Sequence, residues 1–348
     1  MKFENFLEGK KEFRAAFLGG SITEGVGCST TSKRYTSQIV ERLNRRLPEI
    51  NFIEINAGVG GTPSALGLFR LDYEVLSKNP DILFVEFAVN DTGAEVQMSR
   101  YLEGIVRNAR RRYPELPIVF LYTYGAHIIN TTRENPSFVI REQTKVADAY
   151  GIPHINMGYD LYDKIMDYGG DNLVYTVDGG HPNDAGYSVY ADSIMRDLFR
   201  VDFTFEFPED PITNVEFPHP VLMPCMDIEK LPEGWGLSGR TLTANQSLHY
   251  IFSDIPGASI TFEFEGTACG LYIRIEKDGG QARVTIDGKD MGLISFWDRF
   301  SPDLDRDGFL HIAEGLKYGK HTFTVTVSDE KKPLSEGHVA RIAAFLAG

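Results

Sequence analysis

Four short segments, far apart in this chain, hold the side chains best suited to chemistry. Gly19-Gly20-Ser21-Ile22-Thr23 offers a serine hydroxyl after two glycines. Asn56-Ala57-Gly58-Val59-Gly60-Gly61-Thr62 offers backbone amides that no side chain obstructs. Val89-Asn90-Asp91 offers a neutral amide donor, and Asp178-Gly179-Gly180-His181-Pro182 sets an acid three residues before a histidine. A serine hydroxyl is a poor nucleophile until a base takes its proton, and a histidine oriented by a carboxylate is such a base. Donors converging on one oxygen stabilise the anion formed when a hydroxyl attacks a carbonyl. In those terms Ser21 is the candidate nucleophile, His181 the base and Asp178 its orienting acid. The candidate oxyanion donors are the Ser21 amide, the Gly61 amide (with Gly60 as the neighbouring alternative) and the Asn90 side chain. Each segment also has a plainer reading: a helix-capping serine, a strand-to-helix turn, an Asx turn at Asn90, and a surface turn at Asp178. It is the combination, in this order, that favours chemistry.

Such residues act together only if the elements around them converge. Between residues 14 and about 200, apolar strand-like runs (14–20, 51–56, 81–89, 118–124 and 152–156) alternate with stretches of helical periodicity (36–47, 64–78, 98–112 and 139–150). A last helix, capped by Asn183, runs to about residue 199. This alternation predicts a parallel sheet with helices on both faces, and in such sheets ligands bind at the carboxyl ends of the strands. The first three segments fall at those ends.

The composition changes near residue 201. Residues 201–220 carry four prolines and no helical period, so they read as a linker. Beyond it come short alternating strands, clearest at 248–253, 259–265, 270–276, 282–286, 321–327 and 339–345, with a hairpin turn at Ile286-Asp287-Gly288-Lys289. The expectation is an α/β domain over 1–205 and an all-β, jelly-roll-like sandwich over 206–348, consistent with two domains in 348 residues.

A net charge of -14 argues against nucleic acid or an anionic membrane as partner, since neither finds a basic stripe. No run approaches the ~20 apolar residues of a membrane helix, and no leader is visible. Cys28, Cys225 and Cys269 are odd in number and match no metal or redox spacing, so free thiols in a reducing, cytoplasmic compartment are expected. Neither a metal nor a dinucleotide is expected: no His-Glu-x-x-His is present, histidines such as His127, His154 and His249 are scattered, and no Gly-x-Gly-x-x-Gly follows the first run. Trp297, in Ser295-Phe296-Trp297-Asp298, is either a stacking platform for a sugar ring or, as the more ordinary outcome, a core residue like Trp235. Tyr122 and Tyr124 are candidates to line a pocket. Arg70 is either a charge behind the site or part of a solvated face. A homo-oligomer stays open.

The four segments resemble the blocks of the SGNH (GDSL-type) hydrolase family. Ser21 matches the first block, as Gly-Gly-Ser rather than Gly-Asp-Ser. Gly61 matches the second, Asn90 the third, and Asp178 with His181 the last. The resemblance covers residues 14 to about 200. It implies a flavodoxin-like sheet and ester hydrolysis without a metal or other cofactor. With the sandwich appended, the layout is similar to two-domain carbohydrate esterases, in particular the family-17 mannan O-acetylesterases. That resemblance implies an acetylated oligosaccharide as substrate, manno-oligosaccharides among the candidates. An acyltransferase, or a non-catalytic carbohydrate-binding protein on the same scaffold, is the alternative.

Overall fold

Runs of apolar residues without polar interruption form strands that are covered on both faces. Five strands, β3 and β4 of this kind among them, pair in parallel in the order β2-β1-β3-β4-β5. They are β1 (Glu12–Gly19), β2 (Asn51–Gly58), β3 (Ile82–Glu86), β4 (Ile118–Tyr122) and β5 (His154–Asn156), and every residue of β3 and β4 is buried. The computed structural model describes residues 1–91, 98–126, 128–129, 131–242 and 247–348. His127 lies outside them. Contacts divide the chain into two units, Met1–Glu216 and Phe217–Gly348.

In the first unit the chain leaves β1 to one side for β2, then crosses to the other side of β1 for β3. The order therefore reverses between β1 and β3, where α/β sheets open a crevice. Register makes this reversal useful. Gly19 pairs with Gly58 on one side and with Glu86 on the other, so β1, β2 and β3 end level with one another. Three of the four chemical segments thereby reach one edge of the sheet.

Helices cover both faces. They include α1 (Ser21–Glu24), α2 (Tyr35–Arg46), α3 (Ser64–Glu74), α4 (Met98–Arg112) and α5 (Phe138–Ala149), with α6 (Met157–Asp167) and α7 (Asp184–Asp197) following. Helix α2 buries Ile39, Val40 and Leu43 at helical spacing. Beneath it Phe17 of β1 stacks on Phe84 of β3, ring centres 4.8 Å apart, with Tyr35 edge-on to Phe17. Helix α6 was not expected from sequence. It starts without a loop after β5, with the Asn156 side chain accepting from the Tyr159 amide at 3.2 Å. Its buried Leu161 and Ile165 are one turn apart.

The domain boundary expected at 205/206 falls instead between Glu216 and Phe217. The proline-rich segment has no helical period, yet charged side chains of α4 hold it to the first unit. Arg110 donates to the carbonyls of Thr204 and Glu206, and Arg107 to those of Pro208 and Glu209. The buried Glu103 carboxylate accepts from the amides of Ile212 and Thr213 at 2.7 and 2.9 Å. Composition marks where the helices stop; these bonds mark where the unit stops.

The second unit comprises β6 (Val221–Pro224), β7 (Gly236–Thr241), β8 (His249–Ser253), β9 (Ser259–Gly266), β10 (Cys269–Ile275), β11 (Gln281–Ile286), β12 (Lys289–Ser295), β13 (Arg306–Ala313), β14 (Gly319–Val327) and β15 (Ala340–Ala347). One antiparallel sheet runs β13-β10-β15-β8-β7 with β6 on β15; the other runs β12-β11-β14-β9. Phe345 of β15 stacks on Phe262 of β9 at 4.8 Å, joining the two sheets in one core. The expected turn between β11 and β12 is present, with φ of 51° at Asp287 and 76° at Gly288, the double positive φ of a tight hairpin. The strands outside the six clearest runs, β6, β7, β12 and β13, all pair on one side only. Edge strands need no full apolar alternation, and neither β7 nor β12 has a fully buried residue. All three cysteines are free. No helix among the described residues is long and apolar enough to cross a membrane.

Removing the Glu103 carboxylate strands the amides that pin the 203–216 segment. Glu103→Ala is expected to destabilise the protein by roughly 2–4 kcal/mol in urea unfolding. A midpoint equal to that of the wild type would show that this segment contributes no stability through Glu103.

Candidate active site

Ser21 is the first residue of α1 and is 6% exposed. A first-turn amide has no acceptor within its own helix, so the Ser21 N–H is available beside its hydroxyl. The turn that presents Ser21 is very tight. A Cβ on Gly58 would fall 2.1 Å from the Glu24 backbone nitrogen, and one on Gly19 would fall 2.7 Å from the Glu86 carbonyl oxygen. Only glycine allows β1 and β2 to run so close under α1. Asn56 secures the same junction, its amide donating to the Thr23 carbonyl at 2.7 Å.

The fourth segment reaches Ser21 from residues 178–181. His181 Nε2 lies 2.9 Å from Ser21 Oγ, and His181 Nδ1 lies 2.7 Å from Asp178 Oδ2. A carboxylate only accepts, so Nδ1 carries the proton and Nε2 is left to accept from the serine hydroxyl. The other oxygen of Asp178 accepts the amides of Gly180 and His181 at 3.0 and 2.8 Å. The turn closes through the Val177 amide on the His181 carbonyl, 2.9 Å, with Gly179 at φ +87°. Partial burial would raise the Asp178 pKa, but the hydrogen bonds from the His181 ring, its amide and the Gly180 amide outweigh it. The carboxyl is held below its ordinary range. Asp178 and His181 thus form one local unit that docks on Ser21.

Asn90 and the second segment complete the edge. The Asn90 amide head packs on the backbone of Gly20, where a Cβ would lie 2.1 Å from its Oδ1. Of the two neighbouring glycines, Gly60 donates its amide to Glu24 Oε2 at 2.7 Å. Gly61 adopts φ +69°, and its amide has no acceptor among the described residues. Of the two, Gly61 is therefore the amide left without an acceptor among the described residues. Ser21, Gly61, Asn90, His181 and Asp178 all converge on the edge where β1, β2 and β3 end.

Buried charges support this edge, and sequence reasoning missed most of them. Glu86, at the end of β3, accepts from Thr23 and Thr123 hydroxyls at 3.0 Å each and from the Gly20 amide. Its burial raises its pKa against those bonds. A glutamate inside an otherwise apolar run was the available signal. Arg70 is fully buried and ion-paired with Glu74, and it donates to the carbonyls of Ala57 and Gly19. It is the charge behind the site, not a solvated face. Asp91 accepts the Ser64 amide at 2.8 Å and the Gln143 side chain at 3.0 Å, linking the Asn90 segment to the start of α3 and to α5.

Two further candidates of this unit do not reach the site. Tyr122 and Tyr124 are buried in the core: the Tyr122 hydroxyl meets Thr144, and the Tyr124 amide donates to the Tyr190 hydroxyl. They are core residues rather than pocket residues, Tyr122 packed toward α5 and Tyr124 toward α7. Trp297 belongs to the second unit and is half-buried with its indole nitrogen enclosed, which is not an open stacking platform.

Residues 17–189 match the model of the GDSL-like Lipase/Acylhydrolase family. The first unit belongs to that family. Its members are hydrolases, and the level strand ends with Ser21 and His181 lie within the matched span. The fold likeness of the GDSL-like chain extends through both units. A crystal structure of a two-domain esterase active on acetylated mannans is 22% identical, with a TM-score of 0.82 over 99% of this chain and 93% of its own. The same type of protein co-crystallised with mannopentaose matches at 22% identity and a TM-score of 0.81, over 99% and 92%. An acetyl xylan esterase matches at 22% identity over 53% of this chain and 98% of its own, with a TM-score of 0.45. No curated protein sequence matches the chain.

Asp91 supplies a pH test. Burial pushes its carboxyl up to about 7, opposed by bonds from the Ser64 amide and hydroxyl and from Gln143. Its folded pKa exceeds the unfolded one, so its stabilising contribution is full below the ordinary aspartate range and is lost as pH rises through 7. Asp91→Asn cannot ionise. Its stability relative to wild type, read as the difference in melting temperature, is expected to climb from about pH 4 to about pH 7 and to level off above, toward a limit on the order of 4 kcal/mol. A difference that stays flat across that range would contradict the raised acid.

Proposed function

We propose that this chain is a serine esterase that removes acetyl groups from the hydroxyls of oligosaccharides. The observation that carries this reading is the hydrogen-bonded series Ser21–His181–Asp178 at the level ends of β1, β2 and β3. The likeness in fold to an esterase active on acetylated mannans supports acetylated manno-oligosaccharides as the first substrates to try.

Ser21 Oγ attacks the acetyl carbonyl carbon while His181 Nε2 takes its proton. The new imidazolium stays bonded through Nδ1 to Asp178, which keeps its charge. The carbonyl oxygen becomes an oxyanion received by the amides of Ser21 and Gly61 and by the Asn90 side chain. Its collapse breaks the ester bond, and the departing sugar oxygen takes the proton from His181. Water then attacks the acetyl-serine, gives its proton to His181, and acetate leaves as Ser21 recovers its hydrogen.

Acetate release from acetylated manno-, xylo- and gluco-oligosaccharides, followed by NMR, tests the reading. Wild type is expected to release acetate. Ser21→Ala is expected to release none while keeping its melting temperature, because one hydroxyl at a sheet edge is all that is lost. Turnover in Ser21→Ala would eliminate the nucleophile assignment, and silence of the wild type on every sugar would eliminate the substrate class. Asn90→Ala is expected to lower kcat by about a hundredfold or more with KM little changed. An unaltered kcat would remove Asn90 from the oxyanion site.

A further inference from the structure

The short helix that begins with the nucleophile ends with a carboxylate. Ser21 and Glu24 are three residues apart in α1, the spacing that puts two side chains on one face. The Glu24 carboxylate does not turn away from the site. Its Oε2 accepts the Gly60 amide at 2.7 Å, the length of a charge-assisted bond. The place a Cβ would occupy on Gly60 is 2.9 Å from that oxygen and 3.7 Å from Ser21 Cβ. Gly60 is therefore within contact range of both Glu24 and Ser21.

The turn that bears the glycine amides is fastened at three points. The Val59 amide donates to the Gly19 carbonyl at 3.0 Å, and the Thr62 hydroxyl to the Val59 carbonyl at 2.8 Å. The third point is Glu24, and it alone comes from the helix that carries the nucleophile. It also consumes the Gly60 amide, so that the next residue, Gly61 at φ +69°, supplies the free N–H.

We propose that Glu24 is a positioning residue: by holding the Gly60 amide, its carboxylate fixes the Gly61 N–H relative to Ser21, so that nucleophile and oxyanion donor move as one body. The contact, not the charge, does this. A negative charge beside a forming oxyanion is by itself unfavourable, and the geometry tolerates it because the oxygen is engaged by an N–H. The inference rests on the esterase reading, with Ser21 as nucleophile.

Two variants separate contact from charge. Glu24→Gln keeps an oxygen that can accept from Gly60 and removes the charge. Glu24→Asp keeps the charge but is one methylene too short to reach. Both are assayed in the full chain on p-nitrophenyl acetate and acetylated manno-oligosaccharides. A fluorophosphonate probe, read at its end point, counts reactive serines, and melting temperature reports the fold. Glu24→Asp is expected to lose at least tenfold in kcat, with KM within about twofold and with wild-type labelling stoichiometry. Glu24→Gln is expected to recover most of that loss. Glu24→Asp as active as Glu24→Gln, or Glu24→Gln as impaired as Glu24→Asp, would overturn the proposal. A loss in Glu24→Asp matched by an equal loss of labelled serine or by a lowered melting temperature would also overturn it, since the role would then be structural. Failure of the wild type to take the probe would sink the serine-hydrolase reading instead.

Discussion

At Gly58 a single added carbon would sit 2.1 Å from the backbone of α1, and the whole chemical edge depends on that carbon being absent. Because β1, β2 and β3 end level and nearly in contact, the turns that follow them have nowhere to go but toward one another. The nucleophile, the glycine amides and the Asn90 amide are thus gathered by backbone packing before any side chain makes a choice. Any residue larger than glycine at Gly58 would push α1 away from β2 and separate the hydroxyl from its donors.

Backbone packed so closely leaves polar groups without water, and the chain answers with buried charges. Arg70 donates to the carbonyls of Gly19 and Ala57 at the ends of two strands. Glu86 receives the amide and hydroxyls of the nucleophile turn, and Asp91 ties the Asn90 segment to α3. An ionised group in such a place is costly unless it is fully bonded, and the raised acids at Glu86 and Asp91 show that part of the cost persists. These groups lend the edge its rigidity and draw on the stability of the rest of the unit to do so.

The chemistry was legible in the sequence because it uses residue types that are rarely placed idly together: a serine behind two glycines, an acid three before a histidine, an asparagine closing an apolar strand. The parallel sheet was legible from the uninterrupted runs of β3 and β4. What was hidden depends on partners distant in sequence. Nothing near Glu24 announces that it meets Gly60, and Arg70 looks the same on a solvated helix as it does beneath a strand end. Helix α6 was lost because no loop precedes it. The end of the first unit was misplaced by eleven residues because arginine-to-carbonyl bonds from α4 leave no mark in the composition of the segment they hold. The edge strands β6, β7 and β13 escaped because half of each is spared the demands of a neighbour, and β12 was legible only through the turn that leads into it.

The pairing of Asp178 with His181 inside one turn has a consequence for how the protein folds. Asp178 and His181 meet across three residues of chain, whereas Ser21 and His181 are separated by 160. Closing a chain costs entropy that grows with the length enclosed, and non-local contacts are the slow ones to form. Had acid and base come from distant elements, two such closures would have been required. Here a single long-range docking, of a preassembled turn onto the end of β1, converts an inert chain into one with all its reactive groups in register.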